Sequence, residues 1–186
     1  MSLTVTKRAL ENSLKQLVEE KPFAKITIED ISELAGVSCR NFYRYAHDKY
    51  ELLDLIYQDD FMSKLEVHDD WCVWDYFPAI CRYCYQNRGF IRNAITIEGQ
   101  NSPRSYWRDF LTPLILHDFQ DSFFSEESAS FYIPHLTDAL FDYTELWLKK
   151  EPCTPPDEFA AYVRRSVAIH SKRTWEITSR AEPKNI

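Results

Sequence analysis

Apolar side chains in the first segment of the chain recur at intervals of three and four residues, which is the spacing of one face of an α-helix. This pattern predicts a helix from about Thr4 to Glu20. Its buried stripe is predicted to consist of Leu10, Leu14, Leu17 and Val18. Pro22 ends the helix, because the residue before a proline is disfavoured in the α conformation.

Two short helices joined by a tight turn are predicted next. Thr27 is the predicted N-cap of the second helix, with Asp30 at the capping-box position. Gly36 provides the left-handed turn, and Ser38 caps a third helix over residues 39–45. The inner face of the second helix is predicted to comprise Ile28, Ile31, Leu34 and Ala35. This is the layout of a helix-turn-helix, in which the later helix enters the major groove of DNA.

Helical spacing continues through the rest of the chain, and the whole chain contains only three glycines. Asp48, with Glu51 three residues later, is predicted to cap a fourth helix. Five further helices are predicted over about residues 71–86, 88–98, 103–123, 125–150 and 154–179, with Pro134 as a possible bend. The predicted fold is therefore all-α, with about nine helices: a three-helix head with the helix-turn-helix over residues 1–50 and a helical body over residues 51–186.

The distribution of charge limits where nucleic acid can bind. The net charge is −7, but residues 1–50 carry eight basic and seven acidic side chains, a balance of +1. Residues 51–186 carry fourteen and twenty-two, a balance of −8. Because an acidic body repels phosphate, any contact with DNA has to be made by the head.

The chain has the composition of an ordinary globular protein, with 45% apolar and 27% charged residues. No apolar run is long enough to span a membrane, and no basic-then-apolar leader precedes the first helix. The five cysteines are an odd number without framework spacing, which favours reduced thiols. These features predict a cytoplasmic protein with no membrane partner.

Side chains on the predicted third helix have the chemistry of base and phosphate recognition. Arg40 can bind a guanine edge and Asn41 an adenine edge, each through two hydrogen bonds. Hydroxyl and cationic side chains beside them can bind phosphates, and free N–H groups near Thr27 and Asp48 can add anion sites. The candidate DNA-binding residues are Thr27, Ser38, Cys39, Arg40, Asn41, Tyr43, Arg44 and Lys49. The alternative is a capped three-helix unit whose Arg40-Asn41 pair is only a solvated face.

A block of motifs in the head resembles the signature of the TetR family. The block comprises Ile28-Glu29-Asp30-Ile31-Ser32-Glu33-Leu34-Ala35-Gly36-Val37-Ser38, Phe42-Tyr43-Arg44-Tyr45 and Asp48-Lys49-Tyr50-Glu51-Leu52-Leu53. The resemblance implies that Tyr43 contacts the DNA backbone and that Lys49 binds phosphate. Arg40-Asn41 stands where that family commonly has glycine and threonine, and Tyr45-Ala46 replaces a usual His-Phe pair. The first departure is expected to change which bases are read, and the second to change the packing of the head.

The body is similar to a TetR branch that includes regulators of dihydroxyacetone kinase operons. The likeness is carried by Glu98-Gly99-Gln100-Asn101-Ser102, Leu146-Trp147-Leu148 and Pro155-Pro156-Asp157-Glu158-Phe159. It implies an effector-binding and dimerisation body, with a homodimer joined by the last two helices as a four-helix bundle. The resemblance does not indicate which effector binds, because the sequences of the bodies diverge freely in this family.

Aromatic residues crowd the middle of the chain, which favours either an effector pocket between helices or a plain aromatic core. The candidate pocket residues are Trp74, Tyr83, Trp107, Phe110 and His117. The small-molecule effector itself is not identified.

Neither a metal site nor a catalytic site is predicted. Cys81 and Cys84 have the spacing of half a zinc site, but a second ligand pair is missing nearby, so no metal or other cofactor is expected. The five histidines belong to no recognisable catalytic motif.

Two functions remain open at this point. The first is a ligand-responsive DNA-binding regulator, a repressor, that binds double-stranded DNA at a near-palindromic operator as a homodimer. The second is a protein–protein adaptor or co-regulator that keeps the head fold and acts through another protein. The weak net charge of the head and the unusual Tyr45-Ala46 pair motivate the second hypothesis.

Overall fold

The computed structural model describes residues 3–60, 71–97, 102–119 and 126–178. Within those ranges the chain forms nine α-helices and no strand, which confirms the all-α prediction. The helices are α1 (Leu3–Glu20), α2 (Ile28–Leu34), α3 (Cys39–Phe42), α4 (Lys49–Asp60), α5 (Val73–Gln86), α6 (Arg88–Ala94), α7 (Pro103–Phe119), α8 (Glu126–Lys149) and α9 (Pro156–Thr178). A 3₁₀ turn at Phe23–Lys25 lies between α1 and α2.

The core of the head forms where α1, α2, α3 and α4 meet. The four apolar positions of the predicted α1 stripe are all buried, at 0 to 8% exposure. Phe42 of α3 and Ile31 of α2 are fully buried with them. The predicted inner face of α2 is wrong at one position, because Leu34 is 44% exposed. The seven-residue α2 therefore contacts the core over a narrower stripe than its apolar spacing indicates.

Two helices end earlier than predicted. α3 stops at Phe42, because the N–H groups of Arg44 and Tyr45 donate to carbonyls three residues back, at 3.2 and 2.8 Å, as in a 3₁₀ turn. α6 ends at Ala94, where the Thr96 hydroxyl donates to the Asn93 carbonyl at 2.9 Å. The predicted helix ends at residues 98 and 123 and the predicted cap at Ser125 lie outside the described residues.

The body consists of two packed helix pairs, α7 with α8 and α5 with α9. On the first pair, the Arg108 guanidinium donates to both carboxylate oxygens of Asp138, at 2.7 and 2.6 Å. α8 runs through Pro134 without interruption, so the predicted bend does not break the helix.

The head joins the body through α4 and α6. Three residues of α4, Leu52, Leu53 and Ile56, are fully buried in a hydrophobic core that is continuous with that of the body. α6 lies against α1, where the Asn93 amide donates to the Val18 carbonyl at 3.0 Å. The predicted domain boundary at residue 50 falls at the start of α4.

Lys49, the first residue of α4, is bonded to the 3₁₀ segment that follows α1. Its Nζ donates to the carbonyls of Phe23 at 2.8 Å, Ala24 at 3.3 Å and Ile26 at 2.8 Å. The ammonium also lies 4.7 Å from the centroid of the Phe23 ring. Since an ammonium group has three N–H donors, all of them are used inside the protein. Burial lowers the pKa of Lys49 from its ordinary value.

The arrangement of Lys49 predicts that this lysine stabilises the head. We expect Lys49→Met to lower the free energy of unfolding by about 2 kcal/mol, because hydrogen bonds to a charged donor are lost from three carbonyls. For a chain of this size the melting temperature should fall by roughly 4–8 °C, measured by circular dichroism. Lys25→Met is the matched control, since Lys25 is exposed on the same segment. Equal melting temperatures for the two variants would show that the three carbonyl bonds contribute nothing.

Candidate nucleic-acid interface and body cavity

Helix α2 is held by hydrogen bonds at both of its ends, and the second end forms the turn to α3. Thr27 and Asp30 form the predicted capping box: the Thr27 hydroxyl accepts from the Asp30 N–H at 3.1 Å, and the Asp30 carboxylate accepts from the Thr27 N–H at 2.8 Å. At the other end, the Gly36 N–H donates to the Glu33 carbonyl at 3.0 Å and the Val37 N–H to the Ser32 carbonyl at 2.9 Å. These two bonds form a Schellman motif, with Gly36 at φ +66° in the left-handed conformation. The direction of α3 relative to α2 is thereby set by local chemistry.

α3 is a single capped turn with one buried anchor. The Ser38 hydroxyl accepts from the Asn41 N–H at 3.3 Å, which confirms Ser38 as the predicted cap. Phe42 is fully buried and meets the Tyr43 ring edge to face, with 5.6 Å between centroids. The side chains of Arg40 and Arg44 are exposed, and neither guanidinium has a hydrogen-bond partner among the described residues. α3 therefore presents its cations outward while Phe42 fixes it to the head.

The segment that contains α3 carries no negative side chain. Residues 37–47 contain two arginines and one histidine but no aspartate or glutamate. The nearest acids along the chain are Glu33 and Asp48, on either side of this segment. A small basic surface is therefore concentrated on α3, although the head as a whole is close to neutral.

Six of the eight candidate DNA-binding residues lie together on α3 and its flanks: Ser38, Cys39, Arg40, Asn41, Tyr43 and Arg44. Of these, Tyr43 is 55% exposed. Ser38, Asn41 and Arg44 also line an open pocket, to which Thr6 of α1 contributes. Sequence reasoning missed Thr6, whose proximity to α3 depends on how α1 crosses the head.

The other two candidates have different surroundings from those predicted. Lys49 donates to three carbonyls and has no remaining N–H for a phosphate, so the predicted phosphate contact is not supported in this conformation. Thr27 lies at the start of α2, where its own N–H is taken by the Asp30 carboxylate. Lys21, 2.8 Å away, and the two bonds with Thr27 lower the pKa of Asp30 to about 2. A carboxylate of the protein thus takes the Thr27 N–H that an anion could otherwise use.

Two N–H groups at the start of α4, where an anion site was predicted, are bonded within the protein. The Asp48 carboxylate accepts from the N–H groups of Tyr50 and Glu51, at 2.8 and 2.9 Å. The Glu51 carboxylate in turn accepts from the N–H of His47. These caps confirm the predicted helix start and use N–H groups that could otherwise bind phosphate.

A small apolar cavity of about 50 Å³ lies inside the body. Three of the five candidate pocket residues line it, namely Tyr83, Trp107 and Phe110. The remaining two do not. Trp74 is half-buried and contacts the Phe77 ring, with 6.3 Å between centroids, and the His117 side chain is 64% exposed beside Asp118. Apolar spacing alone did not distinguish a side chain lining the cavity from one on another side of the same helix.

Tyr57 of α4 also lines the cavity and was not among the candidates. It is 8% exposed, and its ring stacks on Tyr106 of α7 with 5.5 Å between centroids. The available signal was its position one residue after Ile56, on the apolar side of α4. Tyr57 links the helix that begins in the head with the wall of the cavity.

Cys81 and Cys84 lie on the buried face of α5, at 0 and 4% exposure. Burial raises the pKa of both thiols, that of Cys84 to about 12. Among the residues that the structure describes, no cluster of three or more histidine, cysteine or acidic side chains is placed to hold a metal ion. In the same ranges, no helix combines the length and apolar character needed to cross a membrane.

Comparison with known proteins identifies a curated relative of half of the chain and solved structures that share most of its fold. The curated HTH-type dhaKLM operon transcriptional activator DhaS from Lactococcus lactis subsp. lactis (strain IL1403) is 24% identical over 95 residues, which is 50% of this chain and 51% of that protein. The chain thus aligns with about half the length of this relative. A solved structure of a dihydroxyacetone kinase operon activator DhaS superposes with a TM-score of 0.62 at 18% identity, covering 88% of this chain and 94% of the other.

A TetR transcriptional regulator from Streptococcus agalactiae 2603V superposes with a TM-score of 0.67 at 21% identity, covering 86% of this chain and 92% of the other. The two structures show a shared fold. A family model described as "Bacterial regulatory proteins, tetR family" matches residues 13–56. A second, described as "Transcriptional regulator C-terminal region", matches residues 74–168, about half of the chain. These matches confirm the resemblance found in the head, and the chain belongs to the TetR family of transcriptional regulators.

Proposed function

We propose that this protein is a ligand-responsive transcriptional regulator that binds a near-palindromic DNA site as a homodimer. The observation that carries the proposal is the acid-free surface of residues 37–47, with exposed Arg40 and Arg44 on a helix held by caps at both sides of its turn. A DNA target would put its site of action in the cytoplasm.

Within this surface, base and phosphate contacts are divided between different side chains. Arg40 and Asn41 read base edges in the major groove, because a guanidinium matches guanine and a carboxamide matches adenine through two bonds each. Ser38, Tyr43 and Arg44 bind phosphates and set the register of the helix on the duplex. Lys49 stabilises the head rather than binding phosphate, since its three donors are occupied. In a dimer, the two α3 helices enter successive major grooves about 34–36 Å apart.

The outer faces of α8 and α9 support a homodimer. Six of the eleven exposed large apolar side chains in the described residues belong to these two helices: Phe131, Tyr132, Tyr143, Leu146, Tyr162 and Ile169. Tyr162 and Ile169 are two helical turns apart and so lie on the same side of α9. Exposed apolar side chains concentrated on one face are typical of a protein interface. A second copy of this chain, packing α8 and α9 against their equivalents, would bury them as a four-helix bundle.

The ligand response rests on the cavity and on α4. An effector in the cavity contacts Tyr57, which belongs to the same helix as Lys49 at the head. The effector can shift the spacing of the heads only by the difference between its affinities for the two states. α4 is therefore the element through which occupancy of the body would change DNA binding.

The sign of regulation is a separate part of the proposal. Sequence analysis predicts repression, whereas the DhaS proteins found by comparison are named as activators, which favours activation as a second candidate. A reporter gene behind the upstream DNA decides between them: deleting the regulator raises expression under repression and lowers it under activation.

Base reading by α3 is tested by a double substitution. We expect the wild type to bind DNA from immediately upstream of its gene. The double variant Arg40→Ala/Asn41→Ala should lose about 2–6 kcal/mol of binding free energy if both side chains form their two hydrogen bonds with a base. Fluorescence anisotropy measures the affinity. Arg82→Ala is the control, since Arg82 is an exposed arginine of the body.

A wild-type protein that binds no upstream DNA at low salt would overturn the proposal and favour the adaptor hypothesis. Equal affinities for the wild type and the double variant would reject α3 as the reading helix while leaving DNA binding intact.

The dimer interface is tested by placing a charge on α8. Leu146 is 67% exposed on this helix, and we expect Leu146→Glu to shift the protein from dimer to monomer, because the new charge would be buried against the partner. Leu116→Glu is the matched control, since Leu116 is 46% exposed on α7, outside the proposed interface. Sedimentation equilibrium measures both masses, and a Leu146→Glu dimer as tight as the control would contradict the interface.

A further inference from the structure

The walls of the body cavity contain no charged side chain among the described residues that line it. They are built from aromatic and aliphatic groups of α4, α5, α6, α7 and α8, including Ile80, Ile91 and Phe141. An ion that enters such a site loses its hydration and gains no opposite charge, a cost of several kcal/mol. The cavity therefore selects against anions and cations alike.

Although the surface that the cavity exposes is almost entirely apolar, side chains in its walls also carry buried polar atoms without hydrogen bonds among the described residues. The Tyr57 hydroxyl and the Trp107 indole Nε1 are both buried, and neither has a hydrogen-bond partner among the described residues. Burial raises the pKa of Tyr57 well above its ordinary value, so its oxygen keeps its proton. An indole N–H can only donate. Because a buried donor without an acceptor is unfavourable, the two groups favour an occupant that can accept hydrogen bonds.

The size of the cavity limits the occupant further. A cavity of about 150 Å³ is known to hold benzene, whereas this one has about 50 Å³. A ligand of more than a few heavy atoms has to move the walls apart. One of those walls is the Tyr57 ring of α4, stacked on Tyr106. Binding of such a ligand would therefore displace α4.

We infer that the effector is a compact, uncharged and mostly apolar molecule that presents an acceptor oxygen, such as a ketone carbonyl, to the Tyr57 hydroxyl and the Trp107 indole N–H. The inference rests on the proposed ligand response and specifies the chemistry of its ligand. Polyhydroxylated and ionised molecules are excluded as effectors, because the apolar walls leave their additional polar groups without partners.

The inference is tested by titrating the full-length chain with three cyclic probes of one frame. Cyclopentanone carries the acceptor, cyclopentane lacks it, and cyclopentylammonium carries a charge. Nuclear magnetic resonance of the five tryptophan indole N–H groups follows binding, with the Trp107 signal assigned from Trp107→Phe. We expect cyclopentanone to shift the Trp107 signal and to bind about fivefold more tightly than cyclopentane, the gain from one net hydrogen bond. Cyclopentylammonium is expected to leave the signal unchanged.

Tyr57→Phe removes the hydroxyl and retains the ring. We expect this variant to fold with an undiminished melting temperature, because the hydroxyl has no partner to lose, and to bind cyclopentanone less tightly while its affinity for cyclopentane is unchanged. Tyr85→Phe is the control, since Tyr85 is 40% exposed and lies outside the cavity walls.

Three results would overturn the inference. The first is that no probe shifts the Trp107 signal, which is expected if the cavity holds only water. The others are equal affinities for cyclopentanone and cyclopentane, and binding of cyclopentylammonium. Anisotropy with upstream DNA is measured on the same samples. DNA binding without probe binding would reject the ligand class alone, whereas absence of DNA binding would reject the proposed function whatever the titration shows.

Discussion

The position of α4 depends on the three hydrogen bonds of Lys49, and much of the remaining structure depends on α4. The ammonium fixes the start of this helix to the carbonyls of the 3₁₀ segment. Over the next turns Leu52, Leu53 and Ile56 are fully buried, and Tyr57 lies in the wall of the body cavity. A twelve-residue helix spans about 18 Å at 1.5 Å per residue. The short helix α4 therefore connects the head directly to the wall of the cavity.

A second connection runs through α6 and reaches the proposed dimer helices. Asn93 of α6 donates to the Val18 carbonyl of α1, and Arg88 of the same helix donates to the Leu148 carbonyl near the end of α8, both at 3.0 Å. Arg88 also pairs with Glu151 at 2.7 Å, beyond the end of α8. The orientation of the head is thus constrained from two sides, by α4 beside the cavity and by α6 beside α8. If an occupant of the cavity displaced α4 at Tyr57, the head would move relative to α6, which its hydrogen bonds hold to α1 and α8.

The parts predicted correctly from sequence are those determined by neighbouring residues. The cap at Thr27, the turn at Gly36 and the cap at Ser38 each depend on bonds within five residues. Local chemistry did not determine where a side chain points once helices pack. Lys49 reaches carbonyls more than twenty residues earlier in the chain, and whether Trp74 or Tyr57 lines a cavity depends on the rotation of α5 and α4. The motif in the head was enough to identify the family, whereas the polar atoms in the cavity walls could be found only from the packed body.

The salt dependence of DNA binding tests the central claim most directly, that α3 and its flanks bind duplex DNA while Lys49 serves the fold. The affinity of the full-length chain for its upstream DNA should fall steeply as salt rises, because phosphate contacts release counterions. Arg44→Ala should reduce the slope of log affinity against log salt by about 1, and Lys49→Met should leave the slope at the wild-type value. An affinity independent of salt, or a slope that falls with Lys49→Met and not with Arg44→Ala, would contradict the account.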